Sequence, residues 1–363
     1  MNKIYSMILM LLLFGAAASA QNREYVFTEA ADLTMVGKLF GDTPNPYHRV
    51  DTDRFGGLTK RESELVRMSS GLACLFRTNS TSISVKTDYI TPTWPLNSNG
   101  FCARGYDLYI RDNGQWLYAA SGVQSDSRLG ENLVLLENMP EGREYECLLY
   151  LPLYSELRSV RIGVLEGSRI EPMESPFRHR VAVFGSSFTH GSSSTRSGMS
   201  YPAQFTRETG IQLLSLGCSG NCKLQPAFCE ILCEAEDIDA FIFDAFSNPS
   251  ARQIRERLFP FIERLQEAYP DVPLIFQSTI WREQRRYNTA KARQEEEKEQ
   301  VADSLMRIAC RRYKNVYFVH PNATSKSNDT SVDGVHPSNS GYTLWAESIR
   351  RPVLRILRKY GLK

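Results

Sequence analysis

The sequence predicts an α/β protein in two parts, an all-β module followed by a doubly wound parallel sheet. Two patterns lead to this fold class. Short apolar runs separated by turn residues fill positions 21 to about 170, whereas strands alternate with helical patterns from about 178 to 363. In addition, polar residues follow the ends of successive predicted strands in the second part. The chain has 363 residues, of which 42% are hydrophobic, enough for two domains with sizeable cores.

Residues 1–20 are predicted to be a signal peptide. Lys3 precedes an apolar run from Met7 to Ala18, and Ala18-Ser19-Ala20 fits a small-x-small cleavage site. The apolar run is short of the ~20 residues that cross a bilayer. The alternative is an N-terminal anchor that is not cleaved. We expect an exported protein, periplasmic or extracellular.

The charge balance gives no support for a nucleic-acid or acidic-membrane partner. Lys and Arg number 43 against 41 acidic residues, a formal net charge of +2. Removing residues 1–20, which contain Lys3, leaves 42 basic residues and a balance of +1. No second long apolar segment follows, so we expect no membrane span in the mature chain. The sequence leaves the oligomeric state open.

The first part, residues 21–170, is predicted to be a β-sandwich or jelly-roll, here called the β module. Turn residues such as Asp112-Asn113-Gly114 and Pro140-Glu141-Gly142 separate its apolar runs, and helical periodicity is hard to find. The predicted strands include Ser82–Thr87, Tyr106–Ile110, Glu146–Leu151 and Val160–Val164.

A linker rich in proline and charge, Glu166 to Arg180, leads into the second part, residues 178–363, here called the α/β domain. Alternation of strands and helices at this spacing predicts a parallel sheet. The predicted strands are Val181–Phe184, Gln212–Leu216, Ala240–Asp244, Leu274–Ser278 and Val316–Val319. The predicted helices are Tyr201–Thr209, Gln225–Glu234, Ala251–Tyr269, Lys291–Tyr313 and Tyr342–Tyr360.

Ser187 is the candidate nucleophile. It follows a buried apolar run, Val181–Phe184, and the segment Gly185-Ser186-Ser187-Phe188-Thr189-His190-Gly191 predicts a tight, exposed turn after a strand. By itself the motif also fits an ordinary surface turn. A phosphate-binding loop fits less well, because such a loop contains more glycine and a following lysine.

A serine hydroxyl needs a positioned base, and His336 is the candidate. Asp333, three residues earlier in Asp333-Gly334-Val335-His336, can reach the second ring nitrogen and stabilise the imidazolium. Both residues also fit an ordinary turn. Among the other four histidines, His190 is nearest in sequence to Ser187, but on the same tight turn its side chain is expected to point elsewhere.

The oxyanion formed by attack on an ester needs preorganised donors. Three candidates follow successive strands: the backbone N–H of Ser187, the backbone N–H of Gly220 and the side-chain amide of Asn248. Taken singly, Gly220 could be a loop glycine and Asn248 a helix cap. The interpretation depends on the set.

The ordered set resembles the four blocks of the SGNH (GDSL-type) hydrolase superfamily. Its name-giving positions correspond to Ser187, Gly220, Asn248 and His336, and the match covers roughly Val181 to the C-terminus. Gly105-Tyr106-Asp107-Leu108-Tyr109 and Tyr150–Tyr154 are similar to the β-sandwich module of one bacterial branch. The resemblance implies a three-layer α/β/α, flavodoxin-like domain and a Ser-His-Asp esterase without metal or organic cofactor. Many relatives of this architecture remove acetyl groups from sugars.

Two positions depart from the superfamily pattern. Ser186 stands where the name GDSL has aspartate, and Asn248 lies in Asp244-Ala245-Phe246-Ser247-Asn248-Pro249 instead of the commoner Gly-x-Asn-Asp. The expected function is hydrolysis of a carboxylic ester, with a carbohydrate acetyl ester as the leading substrate. A short-chain lipase or thioesterase is the alternative within the superfamily. A catalytically inactive carbohydrate-binding protein is the alternative outside enzymes.

Three further features carry less functional weight. Eight cysteines permit disulfides in an exported chain, but buried free thiols fit as well, and the spacing of Cys218, Cys222, Cys229 and Cys233 does not favour a zinc site. The charged stretch Trp281–Gln300 is interpreted as the solvated face of a helix. Trp94 could pack on a sugar or acyl group, although core or loop packing is the more common role for tryptophan.

Overall fold

The computed structural model describes residues 24–323 and 329–362, so the predicted signal peptide lies outside the described residues. The β module contains two antiparallel sheets. Its strands are β1 (Tyr25–Glu29), β2 (Thr34–Val36), β3 (Ala73–Thr78), β4 (Ile83–Pro92), β5 (Tyr106–Asp112), β6 (Gln115–Gly122), β7 (Asn132–Leu136), β8 (Tyr145–Tyr150), β9 (Ser155–Leu165) and β10 (Ile170–Pro172). One sheet has the order β1-β9-β4-β7, and the other has the order β10-β3-β8-β5-β6 with β2 also paired to β3.

Alternating side chains explain why the second sheet is covered on both faces. In β3, Cys74 and Phe76 point into a core shared with Val85 and Ile162 of the other sheet. The alternate residues Ala73 and Leu75 belong to a separate cluster that includes Phe177 of the linker and Ala203 of the α/β domain. One face of this sheet therefore forms the sandwich, and the other packs against the α/β domain.

Two helices in the β module were not expected from the sequence, α1 (Lys60–Arg67) and α2 (Gly100–Ala103). The first has a capping box, because Thr59 accepts from the N–H of Glu62 and the Glu62 side chain accepts from the N–H of Thr59. The Thr-x-x-Glu spacing of Thr59 and Glu62 is a sequence pattern typical of a helix N-terminus. The predicted linker also contains short strand β10.

The α/β domain is built on five parallel strands, β11 (Arg178–Gly185), β12 (Ile211–Gly217), β13 (Ala240–Asp244), β14 (Leu274–Gln277) and β15 (Val316–Val319). Their order is β12-β11-β13-β14-β15, a flavodoxin-like arrangement. The helices are α3 (Ser187–His190), α4 (Tyr201–Thr209), α5 (Pro226–Cys233), α6 (Ala251–Ala268), α7 (Thr289–Arg312) and α8 (Asn339–Lys359).

Helices cover both faces of the parallel sheet. Tyr201 and Phe205 of α4 pack with Trp345 of α8 on one face. Residues of α5, α6 and α7, among them Phe228 and Phe261, pack on the other face. The predicted fold class, a three-layer α/β/α domain preceded by an all-β domain, is confirmed.

Candidate active site

The candidate residues lie where three neighbouring strands end at the same level. Gly185, the last residue of β11, pairs with Gly217 at the end of β12 and with Asp244 at the end of β13. Ser187, Gly220 and Asn248 follow these ends within four residues. Because the order of a doubly wound sheet reverses around β11, this is the edge where such sheets bind ligands.

Ser187 is the first residue of α3, and its side chain meets His336 from the other end of the domain. Ser187 Oγ lies 2.9 Å from Nε2 of His336. The other ring nitrogen, Nδ1, lies 2.7 Å from Oδ2 of Asp333. The structure therefore brings the hydroxyl, the imidazole and the carboxylate into one hydrogen-bonded chain. The turn at Ser187 is buried (7% exposed), not exposed as the sequence suggested.

The protonation of Asp333 sets the tautomer of His336. Partial burial raises the pKa of Asp333, but hydrogen bonds from the His336 ring and from the backbone N–H groups of His336 and Val335 outweigh burial and hold that pKa below its ordinary range. An ionised carboxylate accepts the proton on Nδ1, which leaves the lone pair of Nε2 directed at the Ser187 hydroxyl.

The loop that carries Asp333 and His336 is fastened by the segment before α7. The Glu283 carboxylate accepts from the backbone N–H of Thr330 at 2.8 Å and from the Ser331 hydroxyl. The N–H of Gln284 donates to the carbonyl of Gly334 at 2.8 Å. This support was not predicted, because it links parts of the chain about fifty residues apart.

Asp244 supports the nucleophile turn, a role that the sequence interpretation missed. Its buried Oδ2 accepts from the N–H of Ser186 at 3.0 Å and from the Ser186 hydroxyl at 2.6 Å. The same Ser186 oxygen accepts from the N–H of Phe188 and so caps α3. Burial raises the pKa of Asp244, and these donors oppose the increase. The signal available in the sequence was a carboxylate at the carboxyl end of a predicted buried strand, Ala240–Asp244.

Gly220 and Asn248 lie in loops that contact each other. Gly220 has φ of +74°, and open space surrounds the position of a Cβ there. The Asn248 side-chain oxygen accepts from the N–H of Cys222 at 3.4 Å, which directs the amide nitrogen away from that contact. Ser250, not Asn248, caps α6 through a capping box with Gln253, so the helix-cap alternative for Asn248 is wrong.

The β module holds the loop of Gly220 in place. Arg49 is fully buried, and its guanidinium donates to the carbonyls of Ser215 at 3.2 Å and Gly217 at 2.9 Å. The hydroxyl of Tyr154 lies 2.7 Å from that of Ser219. Both contacts come from the β module, so this domain forms part of the support for the candidate site.

His190 occupies a structural position. Its Nε2 lies 2.7 Å from the carbonyl oxygen of Leu153, and its ring stacks on Tyr154 with centroids 4.2 Å apart. Complete burial, reinforced by the charge of Arg49, lowers the pKa of His190 well below the ordinary value. The ring is therefore neutral and donates to Leu153, away from the Ser187 hydroxyl.

A buried ion cluster lies behind Asn248. Arg282 and Lys298 both donate to the carbonyl of Ser247, at 2.7 and 3.0 Å, and both pair with the buried carboxylate of Glu295. The interpretation of 281–300 as a solvated helix face is therefore wrong for these residues. Lys291 with Glu295, an i,i+4 pair at 3.4 Å, does follow the expected pattern.

All eight cysteines lie in the described residues, and none forms a disulfide there. Within residues 24–323 and 329–362, no group of three or more His, Cys, Asp or Glu side chains is placed to hold a metal ion. In the same part of the chain, none of the helices combines the length and the apolar character that a bilayer crossing needs.

Two family profiles match the chain, and together they span most of it. Residues 178–355 match the GDSL-like lipase/acylhydrolase family. Residues 24–170 match the N-terminus of SGNH hydrolase-type esterases, a module named GxDLY. The sequence Gly105-Tyr106-Asp107-Leu108-Tyr109 reads as that motif. No curated protein matches the chain.

Solved structures resemble both domains together. A GDSL-like lipase from Bacteroides ovatus is 33% identical, with a TM-score of 0.87 over 92% of this chain and 98% of that one. The salicylyl-acyltransferase of a tetracycline biosynthetic pathway is 18% identical, with a TM-score of 0.70 over 93% and 98%. A family two carbohydrate esterase from Cellvibrio japonicus is 11% identical, with a TM-score of 0.60 over 92% and 98%. The last two likenesses concern the fold.

The fold and these matches define a hydrolase of carboxylic esters. The chain belongs to the GDSL-like lipase/acylhydrolase family, within the SGNH hydrolases, and carries the N-terminal module of SGNH esterases.

Proposed function

We propose that the protein is an exported serine esterase that removes short acyl groups, with acetyl the leading case, from carbohydrates. The observation that carries the proposal is the hydrogen-bonded chain from Ser187 Oγ through the His336 ring to Asp333. Nucleophilic catalysis by serine needs a base that contacts the hydroxyl and a third group that orients the base. Here His336 is positioned as the base, and Asp333 is positioned to orient it.

In the proposed mechanism, Ser187 Oγ attacks the ester carbonyl while Nε2 of His336 takes the hydroxyl proton. Asp333 stabilises the imidazolium. The negative charge that develops on the carbonyl oxygen is met by the N–H groups of Ser187 and Gly220 and by the Asn248 amide. Ser187 is the first residue of α3, so its N–H has no acceptor inside the helix.

Collapse of the tetrahedral intermediate breaks the bond to the alcohol, which leaves with the proton from Nε2. The product on the enzyme is an acyl ester of Ser187. A water molecule then attacks this ester, giving one proton to Nε2 and its oxygen to the acyl carbon. Release of the carboxylic acid returns the proton to Ser187 Oγ.

Two observations support a carbohydrate as the alcohol. Trp94 is 51% exposed in the loop that also carries Asn97, which lies within hydrogen-bond distance of His336. An exposed indole can pack on the apolar C–H face of a sugar. The fold likeness to carbohydrate esterases of family two points to the same substrate class.

The decisive experiment compares wild type with Ser187→Ala on p-nitrophenyl acetate and on acetylated oligosaccharides. Activity on both substrates, lost in Ser187→Ala with an unchanged circular dichroism spectrum, supports the proposal. Ser127→Ala, an exposed serine of the β module, is the matched control and should remain fully active. Activity that survives Ser187→Ala contradicts the proposed nucleophile.

The same assay separates the alternative functions. Acyl chains of eight or more carbons turned over faster than acetyl esters, or thioesters turned over faster than oxygen esters, would favour a lipase or thioesterase. Glycan binding without ester turnover would indicate a carbohydrate-binding protein. Export is tested by cell fractionation and by sequencing the N-terminus of the mature protein, which we expect to be Gln21.

A further inference from the structure

A loop of the β module reaches the candidate triad. This loop, residues 93–99 between β4 and α2, is called the 93–99 loop. Asn97 at its tip places Nδ2 at 3.2 Å from Nδ1 of His336 and at 3.5 Å from Oδ2 of Asp333. A residue 236 positions before Asp333 thus contacts both the candidate base, His336, and the carboxylate that orients it.

The 93–99 loop is fixed from both domains. The Ser193 hydroxyl donates to the carbonyl of Asn97 at 2.6 Å, and the Ser193 N–H donates to the Ser98 hydroxyl at 3.2 Å. Within the loop, the indole N–H of Trp94 donates to the carbonyl of Ser98 at 2.7 Å. Ser193 lies three residues after α3, which begins at Ser187. The same segment therefore carries the nucleophile and anchors Asn97.

Hydrogen-bond chemistry assigns the direction of the Asn97 contact. Nδ1 of His336 carries the proton that it donates to Asp333, so it cannot accept a second donor. The Asn97 amide therefore donates its N–H to Oδ2 of Asp333, and its partly positive nitrogen lies beside Nδ1. Both effects act against a positive charge on the imidazole, because the carboxylate is partly neutralised and a donor faces the ring.

Several polar, charged and aromatic groups lie near the His336 imidazole. The Ser187 hydroxyl lies at Nε2, and the ring of Phe188 meets that of His336 edge-on, with centroids 5.5 Å apart. Arg282 lies over Phe188 at 5.5 Å from its centroid. Glu283 contacts the loop at Thr330 and Ser331 instead of at the ring. Asp333 is the carboxylate in direct contact with the imidazole, and Asn97 bonds that carboxylate.

We propose that Asn97 is a positioning residue of the esterase, which holds the Asp333 carboxylate in line with the His336 ring and opposes protonation of that ring. The inference rests on the proposed function of the triad. It makes the catalytic centre a product of both domains, since the β module supplies a group that tunes the base.

The test is the pH dependence of kcat/KM for Asn97→Ala and Asn97→Asp. Removing the amide should move the acid limb to higher pH by about half a unit to one unit, because a hydrogen bond to a charged group is lost. Asn97→Asp places a second carboxylate beside the ring and should move the limb further in the same direction. We also expect kcat to fall in Asn97→Ala by about tenfold to a hundredfold through misalignment.

Asn99→Asp is the matched control, because it adds a charge in the same loop but retains the cap on the N–H of Cys102. Its acid limb should move much less than that of Asn97→Asp. An acid limb that stays at the wild-type position in both Asn97 variants overturns the inference, even if kcat falls. A change in KM alone, without a change in the pH profile, also overturns it and would make Asn97 a substrate contact.

A second readout does not depend on turnover. The ring protons of His336 can be followed by NMR during a pH titration and assigned with His336→Gln, since the chain has five histidines. The midpoint for His336 should move upward in Asn97→Ala and further in Asn97→Asp. If wild type lacks Ser187-dependent esterase activity, the proposed function fails, and the NMR midpoint still decides whether Asn97 tunes the ring.

Discussion

The carboxylate of Asp107 in β5 lies 2.7 Å from the guanidinium of Arg196 in the α/β domain. Asp107 is completely buried, and its second oxygen accepts from the N–H of Gly198 at 2.9 Å. Arg196 in turn lies over the ring of Tyr118, 3.9 Å from its centroid. The aspartate of the GxDLY motif thus fastens the segment that follows the nucleophile helix to the β module.

Breaking this contact should destabilise the whole protein. In Asp107→Asn the charge that faces the partly exposed Arg196 is removed, and the loss of a charged hydrogen-bond partner at a buried site costs about 1–3 kcal/mol. We expect the free energy of unfolding, measured by denaturant titration, to fall by that amount. Asp88→Asn is the control, because Asp88 forms an exposed pair with Arg158 at 3.2 Å and should cost less than about 1 kcal/mol. Equal effects of the two changes would contradict a special role for Asp107.

Gly217→Ala should disrupt the packing of the nucleophile helix. A Cβ at Gly217, the last residue of β12, would lie 2.1 Å from the backbone nitrogen of His190 in α3. Because a backbone atom cannot yield like a flexible side chain, α3 must move, and Ser187 moves with it. We expect the free energy of unfolding to fall by at least the ~1–3 kcal/mol that is typical of overpacking, and we expect kcat to fall strongly.

Gly56→Ala is the control for the glycine change, because this exposed glycine has no atom within 4 Å of a Cβ. Its stability and activity should stay at the wild-type level. A fully active Gly217→Ala protein would show that the close approach of β12 and α3 is not needed.

Asp333 should control both the rate and the shape of the acid limb. In Asp333→Asn the His336 tautomer is no longer fixed, and we expect kcat to fall by about ten-thousandfold, the scale seen for this change in Ser-His-Asp enzymes. The pKa of Asp333 lies below its ordinary range, so the carboxylate stays ionised while the imidazole gains its proton. The logarithm of kcat/KM in wild type should therefore fall with a slope of one as the imidazole takes up its proton at decreasing pH.

A slope of two on this limb would mean that the carboxylate and the imidazole take up protons together, contrary to the prediction. Asp112→Asn serves as the control, since Asp112 pairs with Arg143 on a hairpin of the β module. It should leave both the rate and the slope unchanged.

The sequence allowed the parallel sheet to be predicted within a few residues, for a physical reason. Strands buried on both faces are continuous apolar runs, and Ala240–Asp244 and Val316–Val319 were predicted with the bounds that the structure has. Ser187, Gly220 and Asn248 could be placed near one another, because parallel strands end at one edge. Helix α1 was not predicted because it contains few apolar residues, although the capping box at Thr59 and Glu62 is a sequence pattern that indicates a helix N-terminus.

Contacts between distant parts of the chain could not be predicted in this way. Asp244 was recognised as the end of a strand, but its bond to Ser186 depends on β13 lying directly beside β11. Asn97 and Asp107 reach the α/β domain only because the two domains dock along the six-stranded sheet. No local pattern encodes that docking, so the share of the β module in the site became visible only in the structure.

The ion cluster behind Asn248 predicts an unusual gain of stability at alkaline pH. Burial, reinforced by the charge of Arg282, lowers the pKa of Lys298 from 10.5 to about 8, even though Glu295 opposes the shift. Between pH 8 and pH 10.5 the Lys298 side chain of the unfolded chain retains the proton that the same side chain has released in the folded protein. Rising pH therefore favours the folded state for this group, by up to about 3 kcal/mol. The difference in unfolding free energy between wild type and Lys298→Met should increase in favour of wild type from pH 7.5 to pH 10. The variant Lys314→Met, changed at an exposed lysine, should have the wild-type unfolding free energy at both pH values. A gap that stays constant would show that Lys298 keeps its proton on the Ser247 carbonyl throughout this range.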